Sequence, residues 1–117
     1  MATKDNCLFC KIVANEIPSK IVLETEHVVA FEDINPQAPC HVLIIPKEHI
    51  ASTNEVDDRH AETLGRLFAA ARRVAEQCGV RESGYRMVMN TGANAGQTVC
   101  HVHLHVLGGR DFRWPPG

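Results

Sequence analysis

Val99-Cys100-His101-Val102-His103-Leu104-His105-Val106-Leu107 alternates from Cys100 to Val106 between an apolar side chain and a histidine. A period of two is the signature of a β-strand, because successive side chains point to opposite faces. The stretch therefore reads as a strand with Cys100, Val102, Leu104 and Val106 on one face and His101, His103 and His105 on the other. The apolar face calls for a helix to cover it. The histidine face is then either solvated or a site. Neighbouring histidines on that face sit about 6–7 Å apart, twice the strand rise, which a phosphate group and its leaving group can bridge.

Outward from this strand, the chain supplies the rest of a sheet and its cover. Cys7 to Glu16 carries Leu8, Phe9, Ile12 and Val13 at spacings of one or two helical turns, ended by Pro18. Lys20–Glu24 and His27–Glu32, joined tightly through Thr25-Glu26, read as a hairpin. Asn35-Pro36-Gln37-Ala38-Pro39 is a loop, because its prolines cannot donate to a ladder. His41–Ile45 is a third strand closed by Pro46, and Tyr85–Asn90 a fourth. Asp57 or Asp58 is placed to cap a long helix with an apolar stripe of Leu64, Leu67, Phe68, Ala71, Val74, Ala75 and Cys78, stopped by Gly79. Thr91 to Gln97 is a glycine-containing loop, and Gly108 to Gly117 an extended tail. Two hairpins, one long helix, a short N-terminal helix and no βαβ repetition specify an α+β fold with a five-stranded, mostly antiparallel sheet.

The 117 residues suit a single domain, 1–117, with one core. Twelve basic against fourteen acidic residues give a formal charge of −2, so nothing electrostatic points to nucleic acid or a membrane surface. Met1 to Asn6 has no apolar signal stretch, and no run is long enough for a membrane span, so the expected compartment is cytoplasmic. Five cysteines in a reducing compartment argue against a disulfide framework. Cys7 and Cys10, spaced C-x-x-C, suggest metal or redox chemistry, whereas Cys40, Cys78 and Cys100 read as small core residues. No glycine-rich P-loop is present to support nucleoside-triphosphate-driven chemistry.

Histidine titrates near pH 6.5, so a neutral ring can attack phosphorus while neighbours donate to the non-bridging oxygens or protonate a leaving group. Spacing alone leaves three readings open for the row: catalysis or phosphate binding, a metal site, and a solvated face.

His101-Val102-His103-Leu104-His105-Val106-Leu107 resembles the His-φ-His-φ-His-φ-φ signature of the histidine triad superfamily, φ being apolar. Asp33 to Pro39, His41, and Ile45-Pro46-Lys47-Glu48-His49-Ile50 resemble the first half of its histidine triad nucleotide-binding branch. Gly96-Gln97-Thr98-Val99, Gly108-Gly109-Arg110 and Trp114-Pro115-Pro116-Gly117 resemble the second half, so the likeness covers nearly the whole chain. The resemblance implies a purine nucleoside phosphoramidase, a hydrolase of P–N bonds in adenosine or guanosine 5′-phosphoramidates. By it, His103 is the nucleophile that becomes a nucleotidyl-histidine, His105 binds phosphate oxygens and His41 supports the triad from the next strand. It also implies that Asp33 binds the ribose hydroxyls and Ile34 lines the base pocket. Asn90, Gly96, Gln97 and Thr98 would surround the phosphate and leaving group, and Trp114 would shape the site across a homodimer. Without the resemblance, Asp33, Asn90 and Thr98 each read as turn residues.

Cys7-Leu8-Phe9-Cys10 departs from branch members lacking the cysteines and resembles those holding a structural zinc. The matching positions are Cys7, Cys10, His49 and His101, a donor set that suits tetrahedral zinc. Zinc on His101 would leave His103 and His105 for chemistry. Two rivals to the phosphoramidase are a dinucleoside polyphosphate hydrolase, whose tail differs from Gly108-Gly109-Arg110 and Trp-Pro-Pro-Gly, and a non-catalytic nucleotide-binding adaptor, which has no need of His103.

Overall fold

The computed structural model describes residues 6–117; Met1 to Asp5, most of the segment read as lacking a signal stretch, lie outside the described residues. Five strands form one sheet in the order β1-β2-β3-β5-β4: Ile21–Glu24, Val28–Glu32, Cys40–Pro46, Leu104–Gly108 and Tyr85–Val88 respectively. All four pairings are antiparallel. A short helix α1, Leu8–Val13, precedes the sheet, and the long helix α2, Ala61–Cys78, follows β3.

Alternation along the strands sorts side chains between two layers. Val28, Ala30, Val42, Ile44, Leu104 and Val106 face α2 and join its Leu67, Ala71, Val74 and Ala75 in the main core. Val29, Phe31, Leu43 and Ile45 face the other way and meet Phe9, Cys10 and Ile12 of α1. Each fully buried aliphatic side chain contributes about 1.5–3 kcal/mol. A six-residue helix is marginal on its own, so α1 depends on what its residues touch.

Asp57 does cap, but the first element it caps is a 3₁₀ turn, Asp58–His60, with His60 returning a hydrogen bond to the Asp57 N–H. That turn runs directly into α2, which ends at Gly79 in the left-handed conformation. Phe68 falls off the buried stripe and is half exposed, while Ala70 is buried in its place.

Two expectations are corrected. The histidine stretch is not one strand from Val99: ladder pairing begins only at Leu104, because a bend at Val99–His101 takes the preceding residues away from β3. The Val102 N–H instead donates to the Ile50 carbonyl. Cys40, at the start of β3, and Cys78, the last residue of α2, are joined as a disulfide with Cα atoms 6.1 Å apart, rather than packing as separate core thiols. Cys100 is exposed, since it lies in that bend outside the ladder. Among the described residues no helix is long and apolar enough to cross a membrane.

Candidate active site

Although the ladder starts late, the alternation of faces holds from His101 to Val106. Val102 and Leu104 point into the helix-side core, and the histidines point to the opposite face. The rings of His103 and His105 lie 5.1 Å apart. Phe9 of α1 stands edge-on to both His101 and His103, at 5.9 and 5.1 Å, so α1 is part of the wall behind the row.

Backbone partners determine the tautomer of each ring, because a carbonyl only accepts and an amide N–H only donates. His103 Nδ1 is 2.7 Å from the His101 carbonyl, so Nδ1 carries the proton and Nε2 keeps a bare lone pair. The Gln37 N–H donates to His41 Nδ1 at 3.0 Å, which puts the His41 proton on Nε2. That N–H faces His105 Nδ1 at 2.9 Å, with Asp33 Oδ2 3.4 Å away. His105 Nδ1 is thereby the acceptor, and its own proton sits on Nε2, free to donate to a ligand. The result is a relay from Gln37 through His41 to His105. Burial lowers His41 against the pull of Asp33, and burial beside His103 and His41 takes His105 down to about 4, so both rings are neutral at pH 7.

A second cluster lies at the other end of the row. His101 Nε2 donates to the Pro46 carbonyl at 2.9 Å, leaving Nδ1 bare toward Cys7 Sγ at 3.3 Å and Cys10 Sγ at 3.6 Å. His49 Nδ1 is 3.3 Å from Cys10 Sγ. All four donor atoms lie within 4.8 Å of one another. In tetrahedral zinc, sulfur at about 2.3 Å and nitrogen at about 2.05 Å stand about 3.6 Å apart, so these separations fit the ion. The Pro46 carbonyl is the kind of outer partner that fixes a ligating imidazole. Asp33, His41 and His105 also bring donor atoms together, but a metal on His41 Nε2 would need that nitrogen deprotonated while the Gln37 N–H occupies Nδ1. That group is a hydrogen-bonded relay.

Beside the triad, a cleft of about 390 Å³ is walled by Phe9, Ile12, Phe31 and Leu43, with Asp33 and Ile34 at its lip. Asp33 follows β2, and its Oδ1 accepts from the Asn35 N–H, the turn role, while its Oδ2 lies toward His41. Ile34 is fully exposed at the rim. The apolar wall of the cleft was not apparent from sequence, where Phe9, Ile12, Phe31 and Leu43 look like any core residues. Its signal was that α1 and two strands place apolar residues on the sheet face opposite α2.

Gly96, at φ +88, closes the glycine loop in a conformation other residues rarely adopt. Gln97 braces that loop: its Oε1 accepts from Gly92 N–H, and its Nε2 donates to the Ala51 and Val99 carbonyls. Thr98 is exposed and lines a separate cleft with His49 and Cys100. Asn90 lies half-buried two residues beyond β4. Trp114 is 83% exposed.

The HIT domain family matches residues 14–112. The chain belongs to that family. A purine nucleoside phosphoramidase of Escherichia coli (strain K12) is 49% identical over 106 residues, 91% of this chain and 89% of its own. A 14 kDa zinc-binding protein of Zea mays is 51% identical over 112 residues, 94% of this chain and 87% of its own. The crystal structure of a HIT family hydrolase from Legionella pneumophila Philadelphia 1 matches this HIT domain with a TM-score of 0.94 at 52% identity, covering 96% of this chain and all of that one.

Proposed function

We propose that this chain is a purine nucleoside phosphoramidase, a hydrolase that splits the P–N bond of adenosine or guanosine 5′-phosphoramidates. The observation that carries the reading is the His103 ring: its Nδ1–H is tied to the His101 carbonyl, and its bare Nε2 lies in a row with a neutral, donating His105. In the first step, His103 Nε2 forms a bond to the α-phosphorus while the P–N bond breaks. The leaving nitrogen takes up a proton and departs as the amine. Water then attacks phosphorus, the P–Nε2 bond breaks, and the nucleoside monophosphate is released. The relay keeps His105 Nε2–H pointed at the non-bridging oxygens, where the charge of the transition state develops.

The remaining assignments extend the same reading. The cleft of Phe9, Ile12, Phe31 and Leu43 takes the purine, with Ile34 at its rim and Asp33 toward the ribose hydroxyls. By the family resemblance Gly96, Gln97, Thr98 and Asn90 shape the phosphate and leaving-group side, although Thr98 lines the neighbouring cleft of His49 and Cys100. Cys7, Cys10, His49 and His101 hold a zinc ion that ties α1 to the triad segment and takes no part in the chemistry. A homodimer is supported by the short edge strand β4 and by exposed Phe68 and Met87, an edge and surface that a second copy would cover and from which it would lend its Trp114.

The deciding experiment is steady-state hydrolysis of a fluorogenic adenosine 5′-phosphoramidate by the wild type and by His103→Ala. Efficient turnover by the wild type and loss of at least about 10⁴-fold in the variant are expected, since the nucleophile has no substitute. A folded wild type that binds the nucleotide and does not turn it over would overturn the assignment.

A further inference from the structure

The Gly108-Gly109-Arg110 run after the triad touches no part of the chemistry described above, yet its packing is demanding. A Cβ on Gly108 would lie 2.8 Å from Val80 Cγ2, so only glycine fits between β5 and the segment after α2. Gly109 has φ +89, and a Cβ there would come within 3.0 Å of the Pro39 ring. These two glycines bring the chain leaving β5 against the loop between β2 and β3, and they deliver Arg110 to it. Arg110 Nε donates to the Gln37 carbonyl at 2.8 Å. Its Nη1 donates to the Asp111 carbonyl at 3.0 Å, and its guanidinium lies 4.2 Å over the Phe112 ring. Arg86 holds the same tail by donating to the Arg113 carbonyl and lying over the Phe112 ring at 5.2 Å. The guanidinium is thus fixed on three sides although it is exposed to water.

Gln37 is the residue whose N–H sets the His41 tautomer. The Asp33 N–H ties the start of its loop to the His41 carbonyl, but the other two hydrogen bonds, from Asn35 to Asp33 and from the Gln37 side chain to the Asn35 carbonyl, are internal and leave the Gln37 end free to shift. We propose that Arg110 is a positioning residue: by clamping the Gln37 carbonyl it aims the Gln37 N–H at His41 Nδ1, which fixes the proton on His41 Nε2 and so makes His105 a donor to the ligand. Arg110 acts through two other residues and touches no reacting atom. Without the clamp, the loop drifts from His41, the His41 proton partitions between its two nitrogens, and His105 accepts from His41 only part of the time.

The rate arm of the test rests on the phosphoramidase reading; the spectroscopic arm does not. Two-bond ¹H–¹⁵N spectra of ¹⁵N-histidine-labelled protein identify which nitrogen of His41 is protonated. In the wild type His41 is expected as the pure Nε2–H tautomer. In Arg110→Ala it is expected as a mixture, with kcat lowered about tenfold or more, the usual consequence of losing an outer partner of a site histidine, and KM little changed. Arg110→Gln and Arg110→Lys each keep a side-chain N–H for the Gln37 carbonyl and should restore most of the tautomer. Should Arg110→Ala fail to fold, Arg110→Met, which keeps the stem over Phe112 without any N–H, takes its place. The proposal is overturned if the donor-less variant keeps the wild-type tautomer, whatever its rate, or if Gln and Lys fare no better than Ala. A wild type without phosphoramidase turnover would remove the reading of the reaction, and the tautomer result would still decide the role of Arg110.

Discussion

Cys7, Cys10, His49 and His101 form one group whose donor atoms lie within 4.8 Å of one another, and Asp33, His41 and His105 form another. By composition and distance both could hold a metal. They differ in where the backbone has put the protons. The Pro46 carbonyl draws the His101 proton outward and leaves bare nitrogen facing two thiols. The Gln37 N–H does the reverse at His41, holding the proton on the inward Nε2, from which it is donated to His105 Nδ1. One backbone acceptor thus prepares a cation site and one backbone donor prepares a proton relay, from the same side chain. His103, whose Nδ1–H is also held by a carbonyl, has the bare outward nitrogen of the first kind but no thiols before it, which is what a nucleophile requires.

The difference between the two clusters is tested most directly by metal removal. Chelation at neutral pH, or Cys7→Ser, is expected to lower Tm by about 10 °C or more, because a six-residue helix and the Phe9 wall depend on that cluster. Differential scanning calorimetry with and without zinc reads this directly. An unchanged Tm would make the cysteine–histidine group a packed set of thiols and imidazoles, and the distinction drawn from proton placement would fail on its metal side. At temperatures where the Cys7→Ser protein remains folded, its kcat should fall far less than that of any relay variant.

The relay should respond in the opposite sense. His105→Ala is expected to lower kcat by about 10²–10³-fold, the usual cost of removing one donor to a developing oxyanion, while Tm shifts by only a few degrees. Single-turnover hydrolysis alongside calorimetry separates the two quantities. A His105→Ala protein that loses Tm as Cys7→Ser does, and rate only in proportion, would place His105 among structural residues.

Much of this division was legible in the sequence, and the part that was not has a physical reason. Alternation predicted which side chains face the helix, and from His101 to Val106 it held even where the ladder did not form, because the period belongs to extended backbone and not to pairing, whereas Cys100, in the bend, is exposed. Ladder pairing depends on a partner strand, and no local pattern shows where β3 stops matching. Phe68 fitted the helical stripe by spacing but lies outside the buried arc. The apolar wall of the cleft escaped notice because Phe9 and Phe31 come from elements far apart in the chain and look like ordinary core residues until the sheet brings them within 5.5 Å. The disulfide between Cys40 and Cys78 joins residues 38 apart, and only the packing of the α2 C-terminus against the start of β3 brings them together. Tautomers were the least legible of all, since each depends on a backbone group from another segment.

The smallest expected effect concerns acid, and it tests whether the relay histidines are held neutral. His105 lies at about 4 in the folded protein, lowered by burial beside His103 and His41, and His41 is lowered by burial as well. An unfolded histidine titrates near 6.5. Between about 4 and about 6.5 the unfolded chain therefore binds protons that the folded relay refuses, so stability falls as pH falls through that window and is fully present above it. A metal held by the cysteine–histidine cluster would also be released in acid, because protons compete for thiolates, and the two slopes would then overlap in the wild type. His105→Gln separates them. Urea unfolding across pH 4 to 7 should show a slope smaller by about one proton in the variant, with the metal-linked part intact. Identical slopes would mean that the folded protein accepts a proton at His105 as readily as the unfolded chain does. A protonated His105 would have no lone pair for the His41 Nε2–H, and the arrangement that distinguishes the relay from the metal cluster would be lost as pH falls through about 6.5.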